Sequence, residues 1–322
     1  MGIKQLNHFI LSTCNNQAVC RTSLSQFAGK CIAVDASIYI YRFQGEDRLI
    51  EHMYLLLSLL LKHNITPIFV FDGKAPIEKQ QIIKERRERK YQAELQHNLL
   101  QNQLVDASDD QRDKIEKKLQ TLKKQFVRIK DTDIKNVQTM LDLFGITWIE
   151  AVGEADALCA QLMFTGRAYA CMSEDMDLFA YGCCRILRHI SLFKQSVISY
   201  DLQEILNQIG GMSVQEFKQI LVLSGTDYNT GNDNCIGLTQ SLKLYSLYKK
   251  NTFMSMETVP SFYVWIRNFT NIDEERLMTA YNLFDIHNGL DLDFINNLVI
   301  ENKTINNKVL KEFLENEGFI NV

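Results

Sequence analysis

The sequence predicts an α/β fold with a mainly parallel sheet flanked by helices, a pair of inserted helices and a helical C-terminal half. Short runs rich in β-branched residues alternate with helical patterns up to about residue 200. A long charged stretch without Gly or Pro interrupts this alternation at about 77–130. Beyond residue 200 the pattern is helical throughout. We therefore expect an α/β unit over 1–200 and a helical region over 201–322.

The individual elements follow from apolar runs and turn residues. An apolar helix is expected over 47–62, and the charged stretch predicts two exposed helices separated by the turn-like DASDD at 106–110. The predicted strands are 31–36, 66–73, 145–150, 168–173 and 196–200.

Composition excludes several classes of protein. The 322 residues are 46% hydrophobic and 23% charged, which is typical of a globular protein with a sizeable core. The longest apolar stretch, 54–71, contains Lys62, His63, Asn64 and Pro67, so we predict no membrane span. No signal-peptide layout is visible, so we expect an intracellular protein, in the nucleus or the cytoplasm. The eight cysteines form no C-x-x-C pair, which favours reduced thiols over disulfides or zinc.

Charge is unevenly distributed along the chain. The formal net charge is −4, which by itself argues against a nucleic-acid partner. Residues 74–130, however, hold fifteen Lys and Arg against nine Asp and Glu, so the inserted helices are cationic and the remainder is strongly acidic. A segregated positive segment is typical of proteins that bind a polyanion.

Carboxylates follow several of the predicted strands. Because ligands bind at the carboxyl edge of an open parallel sheet, acids from different strands are expected to meet there. Any one of them alone is more typical of a turn or helix cap, and an acid in a first helical turn is favoured by the helix dipole without a ligand. Their coincidence is harder to explain in that way. The seven candidates are Asp35, Asp72, Glu154, Asp156, Asp175, Asp177 and Asp227.

The chemistry of these candidates points to metal ions. Crowded carboxylates repel one another and need a compensating positive charge. Oxygen ligands without histidine suit Mg²⁺ or Mn²⁺ rather than zinc. Seven acids exceed the needs of one Mg²⁺, so a pair of ions of the kind that activates water in phosphodiester cleavage fits better.

Cationic side chains begin directly after Asp72. Lys79, Arg86 and Lys90 are spaced so that all three share one helix face. Interleaved glutamates make a solvated, salt-bridged surface helix the alternative. Beside an acidic metal cleft, these cations would instead hold phosphate groups that the carboxylates repel.

Six stretches of the sequence occur together in an order that is typical of one family: MGIKQL, VDASIYIYRF, FVFDGKAP, EAVGEADALCAQL, SEDMDLFAYG and LSGTDY. Taken together, they resemble the flap endonuclease or XPG-type 5′ nucleases. The resemblance extends from Met1 to about residue 250, and a short chain of this kind resembles members encoded by large DNA viruses.

The resemblance implies a PIN-like sheet and a metal-dependent, structure-specific 5′ nuclease that cuts DNA near junctions of single and double strands, with 5′ exonuclease activity. It implies two Mg²⁺, replaceable by Mn²⁺, and a helical arch at 77–130 with Lys79 and Arg86 as catalytic residues at the scissile phosphate. Substrate contacts are implied for Gly2, Tyr41, Arg87, Lys90 and Gly237. Asp35, Asp72, Glu154 and Asp156 would serve mainly one ion, and Asp175, Asp177 and Asp227 the other, with Asp227 completing the site from the helical region.

Some stretches depart from the family pattern. The duplex-anchoring turn, G-I-G-P-K-R-A in the family, reads CIGLTQS at 235–241, so a K⁺ site there is in question. No sliding-clamp motif is visible, and we expect a monomer that binds branched or flapped DNA. A junction resolvase of the same superfamily and a non-catalytic DNA-binding scaffold are the alternative functions.

Overall fold

A computed structural model gives the fold. It describes residues 2–105, 108–229, 235–254, 261–300, 305 and 307–318. The predicted turn at 106–110 therefore lies partly outside the described residues.

A single seven-stranded sheet forms the centre of the molecule. Its spatial order is β1-β7-β6-β5-β2-β3-β4. The five strands from β6 to β4 run parallel, whereas β7 and β1 add to the edge in antiparallel pairing. The mainly parallel sheet predicted from the sequence is thus confirmed. The strands are β1 Val19–Ser23, β2 Cys31–Asp35, β3 Thr66–Phe71, β4 Thr147–Glu150, β5 Ala170–Met172, β6 Arg185–Ser191 and β7 Ser196–Asp201.

Helices surround the sheet and make up most of the chain after β7, as expected. The described α-helices are α1 Leu6–Thr13, α2 Ala36–Gln44, α3 Leu49–Lys62, α4 Gln80–Val105, α5 Asp109–Lys123, α6 Asp131–Leu143, α7 Ala155–Phe164, α8 Leu202–Gln208, α9 Val214–Ser224, α10 Leu238–Met254, α11 Phe262–Ile266, α12 Glu274–Leu283, α13 Leu292–Asn297 and α14 Asn307–Asn316. Within the described residues, none of these helices is long and apolar enough to cross a membrane.

Each face of the sheet is covered by its own hydrophobic core. One core joins side chains of α1, α7 and the helices from α8 to α13, including the fully buried Phe217 and Phe284. The other joins α2, α3, α6 and α14, including the fully buried Tyr39 and Phe43. Burial of these large side chains supplies the main favourable free energy for the fold. The strand ends between the two layers are held at fixed positions as a result.

The cationic insertion forms the two helices that the sequence predicts, α4 and α5, and they contact each other. Its end attaches to the loop between α2 and α3 through an ion pair of Lys123 Nζ with Asp47 Oδ2 at 2.5 Å. Lys90 Nζ donates to Val127 O at 3.2 Å, which ties α4 to the segment that follows α5. The end of the insertion is therefore held both to the body of the molecule and to α4.

Two strands are not predicted from the sequence. β1 reads VCRTS and β6 reads RILRHIS, and neither shows the apolar run or strict alternation that indicates a strand. β1 is an edge strand with one neighbour, so polar side chains are tolerated along it. β6 contains a charged residue, Arg188, that is buried.

Candidate active site

The carboxyl edge of the parallel strands gathers acidic side chains, beginning with Asp35, the last residue of β2. Asp35 Oδ1 accepts a hydrogen bond from Ile38 N at 3.3 Å, so it also caps α2. Its Oδ2 accepts from Ser173 Oγ at 3.0 Å, and Ser173 directly follows β5. This pair of bonds ties the ends of two neighbouring strands together.

Asp72 follows β3 and orients the start of α7. Its Oδ1 accepts from Ala155 N at 2.9 Å, which satisfies a backbone donor in the first turn of that helix. Glu154 immediately precedes Ala155, and Asp156 follows it. One hydrogen bond therefore brings the acid of β3 beside two acids of α7.

Asp175 and Asp177 lie in the loop after β5. Ser173 Oγ accepts from Asp175 N at 3.1 Å, and Asp175 Oδ1 accepts from Asp177 N at 3.0 Å. Both aspartates are buried, with exposed fractions of 7% and 5%. The same serine hydroxyl thus links this loop to Asp35.

Asp227 comes from the helical region and meets the two cations of the arch. Arg86 Nη2 lies 2.5 Å from Asp227 Oδ2, and Lys79 Nζ lies 3.5 Å from the same oxygen. Lys79 also forms an ion pair with Glu154. The predicted shared face of Lys79 and Arg86 is therefore turned toward the acids.

Tyr228 is a contact that the sequence analysis did not identify. Its hydroxyl donates to Glu154 Oε2 and lies 3.3 Å from the hydroxyl of Tyr181. Both rings pack edge-on against Phe284, at centroid distances of 5.0 Å. Its position next to Asp227 in the sequence could have indicated this contact, since a tyrosine hydroxyl beside a ligand candidate can reach the same cluster. Ser173 was missed as well, although it lies within the AYACMS strand prediction.

The acids interact strongly with one another. Burial, and then the charge of Asp72, raise the pKa of Asp35 to about 7. Burial, and then the charges of Asp175 and Asp35, raise the pKa of Asp156 well above its usual range. The pKa of Asp177 is raised in the same way by burial and by Asp175 and Asp227, with Lys79 acting in the opposite direction. Burial lowers the pKa of Lys79, but Glu154, Asp227 and Asp156 outweigh it, so this lysine stays protonated.

These residues fit a hard divalent cation. Asp156 Oδ1 and Asp177 Oδ1 are buried and accept no hydrogen bond in the described part of the chain, although buried acceptors normally have a partner. The donor set consists of carboxylate oxygens, which Mg²⁺ and Mn²⁺ prefer. No three described side chains already surround a common metal position. Two of the acids, Glu154 and Asp227, are instead paired with Lys79 and Arg86. A cation would satisfy the two unpartnered oxygens and relieve the repulsion between the acids.

The predicted substrate contacts lie around this cluster. Gly2 has a φ of +73°, and a Cβ atom on it would collide with Oδ1 of Asp175 and of Asp177, so the N-terminal backbone lies against the acids. Tyr41 is 45% exposed, and Lys90 Nζ lies 4.8 Å from its ring centroid. Arg87 is exposed on α4.

Gly237 precedes α10 and has a φ of +77°, and an added Cβ atom would meet no atom within 4 Å. Its carbonyl accepts from Ser241 N at 3.1 Å and from Ser241 Oγ at 2.9 Å. Both bonds belong to the start of α10. The five residues before this turn, 230–234, lie outside the described residues.

Two family models match parts of this chain. The XPG N-terminal domain matches residues 1–93, and the XPG I-region matches residues 145–227. The chain is 32% identical to flap endonuclease 1 of Leishmania braziliensis over 250 residues, which are 71% of this chain and 60% of that protein. The chain therefore spans about three fifths of the length of this curated relative.

Solved structures show the same fold. The catalytic core of Rad2 in complex with a DNA substrate has a TM-score of 0.67 at 24% identity, covering 98% of this chain and 94% of that one. Human GEN1 in complex with Holliday junction DNA has a TM-score of 0.60 at 19% identity, covering 99% of this chain and 74% of that one. Both matched domains contribute acids to the cluster, Asp35 and Asp72 from the first and the other five from the second. The chain belongs to the XPG family, the family of the flap endonucleases that its sequence resembles.

Proposed function

We propose that the chain is a divalent-metal-dependent, structure-specific 5′ nuclease that hydrolyses phosphodiester bonds in DNA near junctions of single and double strands. One observation carries the proposal. Seven carboxylates from distant parts of the chain lie together, and Lys79 and Arg86 of the arch reach into the same cluster. Relatives named flap endonuclease 1, and the Rad2 core with bound DNA, support the same reaction.

The acids are proposed as ligands of two Mg²⁺ ions, with Mn²⁺ as a substitute. Asp35, Asp72, Glu154 and Asp156 would hold mainly one ion, and Asp175, Asp177 and Asp227 mainly the other. A bound pair of such ions supplies activated water and neutralises charge on the leaving oxygen. A solved GEN1 structure with Mg²⁺ supports a divalent ion in this fold.

Lys79 and Arg86 act on the phosphate. Both carry positive charge, and their carboxylate partners, Glu154 and Asp227, are ligand candidates. When a phosphodiester enters, the two cations exchange these carboxylates for phosphate oxygens and stabilise the charge that develops as water attacks phosphorus. Tyr228 keeps Glu154 oriented through its hydroxyl, and the partly buried position of Lys79, 15% exposed, limits competing water.

The other substrate contacts are proposed from the positions of their residues around the acidic cluster. Tyr41 offers an exposed ring on which an unpaired base can stack, and Arg87 and Lys90 offer positive charge nearby on α4. Gly2 and Gly237 allow the backbone to approach DNA closely. Potassium binding at 235–241 stays a prediction, and the two hydrogen bonds on Gly237 O weigh against that carbonyl as a ligand.

The division into a nuclease unit over 1–200 and a duplex-binding region over 201–322 is part of the proposal. Asp227 from the second region completes the site of the first. We also propose that the protein works as an intracellular monomer, in the nucleus or the cytoplasm, on flapped or branched DNA.

A junction resolvase is the second candidate, because human GEN1 with bound Holliday junction DNA shares the fold over 99% of this chain. A panel of labelled flap, nicked, gapped, four-way and single-stranded substrates with Mg²⁺ separates the two. If the chain is a flap endonuclease, we expect it to cut the 5′ flap faster than any other substrate of the panel. Preferred symmetrical cutting of the four-way junction would favour the resolvase, and binding without cutting of any substrate would favour a non-catalytic scaffold.

A further inference from the structure

Arg188 on β6 is a charged residue inside the fold, 5% exposed. The pairing of β6 with β7 shifts register between Arg188 and Ser191, and His189 has a φ of +52°. Such a bulge adds an extra residue and re-aims the side chains beside it. Here it leaves Arg188 buried and His189 exposed. Burying a guanidinium carries a large desolvation free energy unless the group is paired. Its partners therefore indicate its role.

Two of these partners belong to segments that flank the acidic cluster. Arg188 Nη1 donates to Asn7 Oδ1 on α1 at 2.7 Å, and Nη2 donates to the backbone carbonyl of Glu174 at 3.0 Å. The hydroxyl of Tyr200 on β7 donates to the same Asn7 oxygen, also at 2.7 Å. The guanidinium therefore joins the N-terminal helix to the loop that carries Asp175 and Asp177.

The side chain of Glu174 contacts two residues of β6, and we do not place it among the metal-ligand candidates. Its Oε1 accepts from His189 N at 2.6 Å, and its Oε2 lies 3.0 Å from His189 Nδ1 and 3.8 Å from Arg188 Nε. The acid next to Asp175 thus forms an ion pair with Arg188. Together with the hydrogen bond from His189 N, this pair adds a second anchor to the loop.

We infer that Arg188 is a positioning residue that fixes the Asp175–Asp177 loop against the N-terminal segment. The inference rests on the proposed function. Gly2 lies against Oδ1 of Asp175 and of Asp177, and Asn7 follows it by five residues. Arg188 therefore bonds to both segments that meet at this contact, and these bonds hold the two aspartates in place relative to the N-terminal backbone. Its effect would fall on the ion that Asp175, Asp177 and Asp227 are proposed to hold.

The variant Arg188→Lys tests this role because it keeps the charge and loses the planar fork that bonds two partners at once. Arg185→Lys is the matched control, since Arg185 lies on the same strand and pairs with Asp201 at 3.4 Å, outside the cluster. Asn7→Ala is a second variant that removes the acceptor on α1 that Arg188 shares with Tyr200. Amide hydrogen exchange of the metal-free proteins and Mn²⁺ titration of each protein are the two measurements.

For Arg188→Lys and Asn7→Ala we expect faster exchange confined to residues 2–7 and 173–177, and Mn²⁺ affinity about tenfold weaker at one of two sites. Arg185→Lys should match the wild type in both regions. Exchange unchanged in those segments, or raised evenly along the chain, would overturn the inference and leave Arg188 with a general role in stability. If the wild type binds no Mn²⁺ and cuts no DNA, the proposed function fails, and the exchange measurement still decides the positioning role.

Discussion

Arg86 on α4 places Nη2 2.5 Å from Oδ2 of Asp227, a residue 141 positions further along the chain. This contact joins the cationic arch to the helical region across the acidic cluster. The basic segment and the acids, which are separate in the sequence, therefore lie side by side in the structure.

Asp175→Ala should abolish cleavage while DNA binding is kept. Asp175 Oδ1 accepts from Asp177 N, so the substitution removes one ligand candidate and releases another. Single-turnover cleavage and fluorescence anisotropy with a flap duplex measure the two properties separately. Asp293→Ala is the control, since Asp293 is an exposed acid on α13. Turnover retained by Asp175→Ala would remove that residue from the site.

Lys79→Gln should slow the cleavage step by about 10²-fold or more, because one donor to the developing phosphate charge is lost. Mn²⁺ affinity should be unchanged or tighter, since Glu154 and Asp227 lose a competing cation. Lys84→Gln alters an exposed lysine of α4 and serves as the control. A loss of Mn²⁺ affinity in Lys79→Gln would show that this lysine supports the acids structurally.

Gly2→Ala should impair both Mn²⁺ binding and cleavage. A Cβ at this position collides with the oxygens of Asp175 and Asp177, and a φ of +73° is unfavourable for Ala. Gly29→Ala is a close control, because Gly29 has a φ of +72° but no atom within 4 Å of an added Cβ. Equal behaviour of the two variants would mean that backbone strain alone, and not contact with the acids, determines the effect.

The metal-free protein should lose stability as the pH rises. The pKa of Asp35 is about 7 in the folded chain, against 3.8 for an ordinary aspartate, so between these values the folded state binds more protons than the unfolded state. The free energy of unfolding therefore falls through this interval and stays lower above it. Thermal melting in EDTA at about pH 5.5 and about pH 8 measures the slope. Asp35→Asn should flatten it, and a melting temperature that rises with pH in the wild type would contradict the assignment.

The sequence predicts which acids lie near one another in the structure, but it does not predict the contacts that support them. Asp35 and Asp72 could be predicted as neighbours because each follows or ends an apolar run, and a parallel sheet brings the ends of such runs together. The shared helix face of Lys79 and Arg86 could be predicted from their seven-residue spacing. The contact of Arg188 with Glu174 could not be predicted, because β6 lacks an apolar signature and is not predicted as a strand. Ser173 and Tyr228 act through hydrogen bonds that depend on side-chain direction, which periodicity does not report.

The most direct test of the central claim is cleavage of a labelled 5′-flap duplex by the wild-type chain, with Mg²⁺ and then with excess EDTA. If the seven carboxylates and the arch cations form one nuclease site, Mg²⁺ gives cuts near the junction, EDTA stops them, and fresh Mg²⁺ or Mn²⁺ restores them. A protein that binds the duplex but cuts it under none of these conditions, or cuts it equally in EDTA, would contradict that claim.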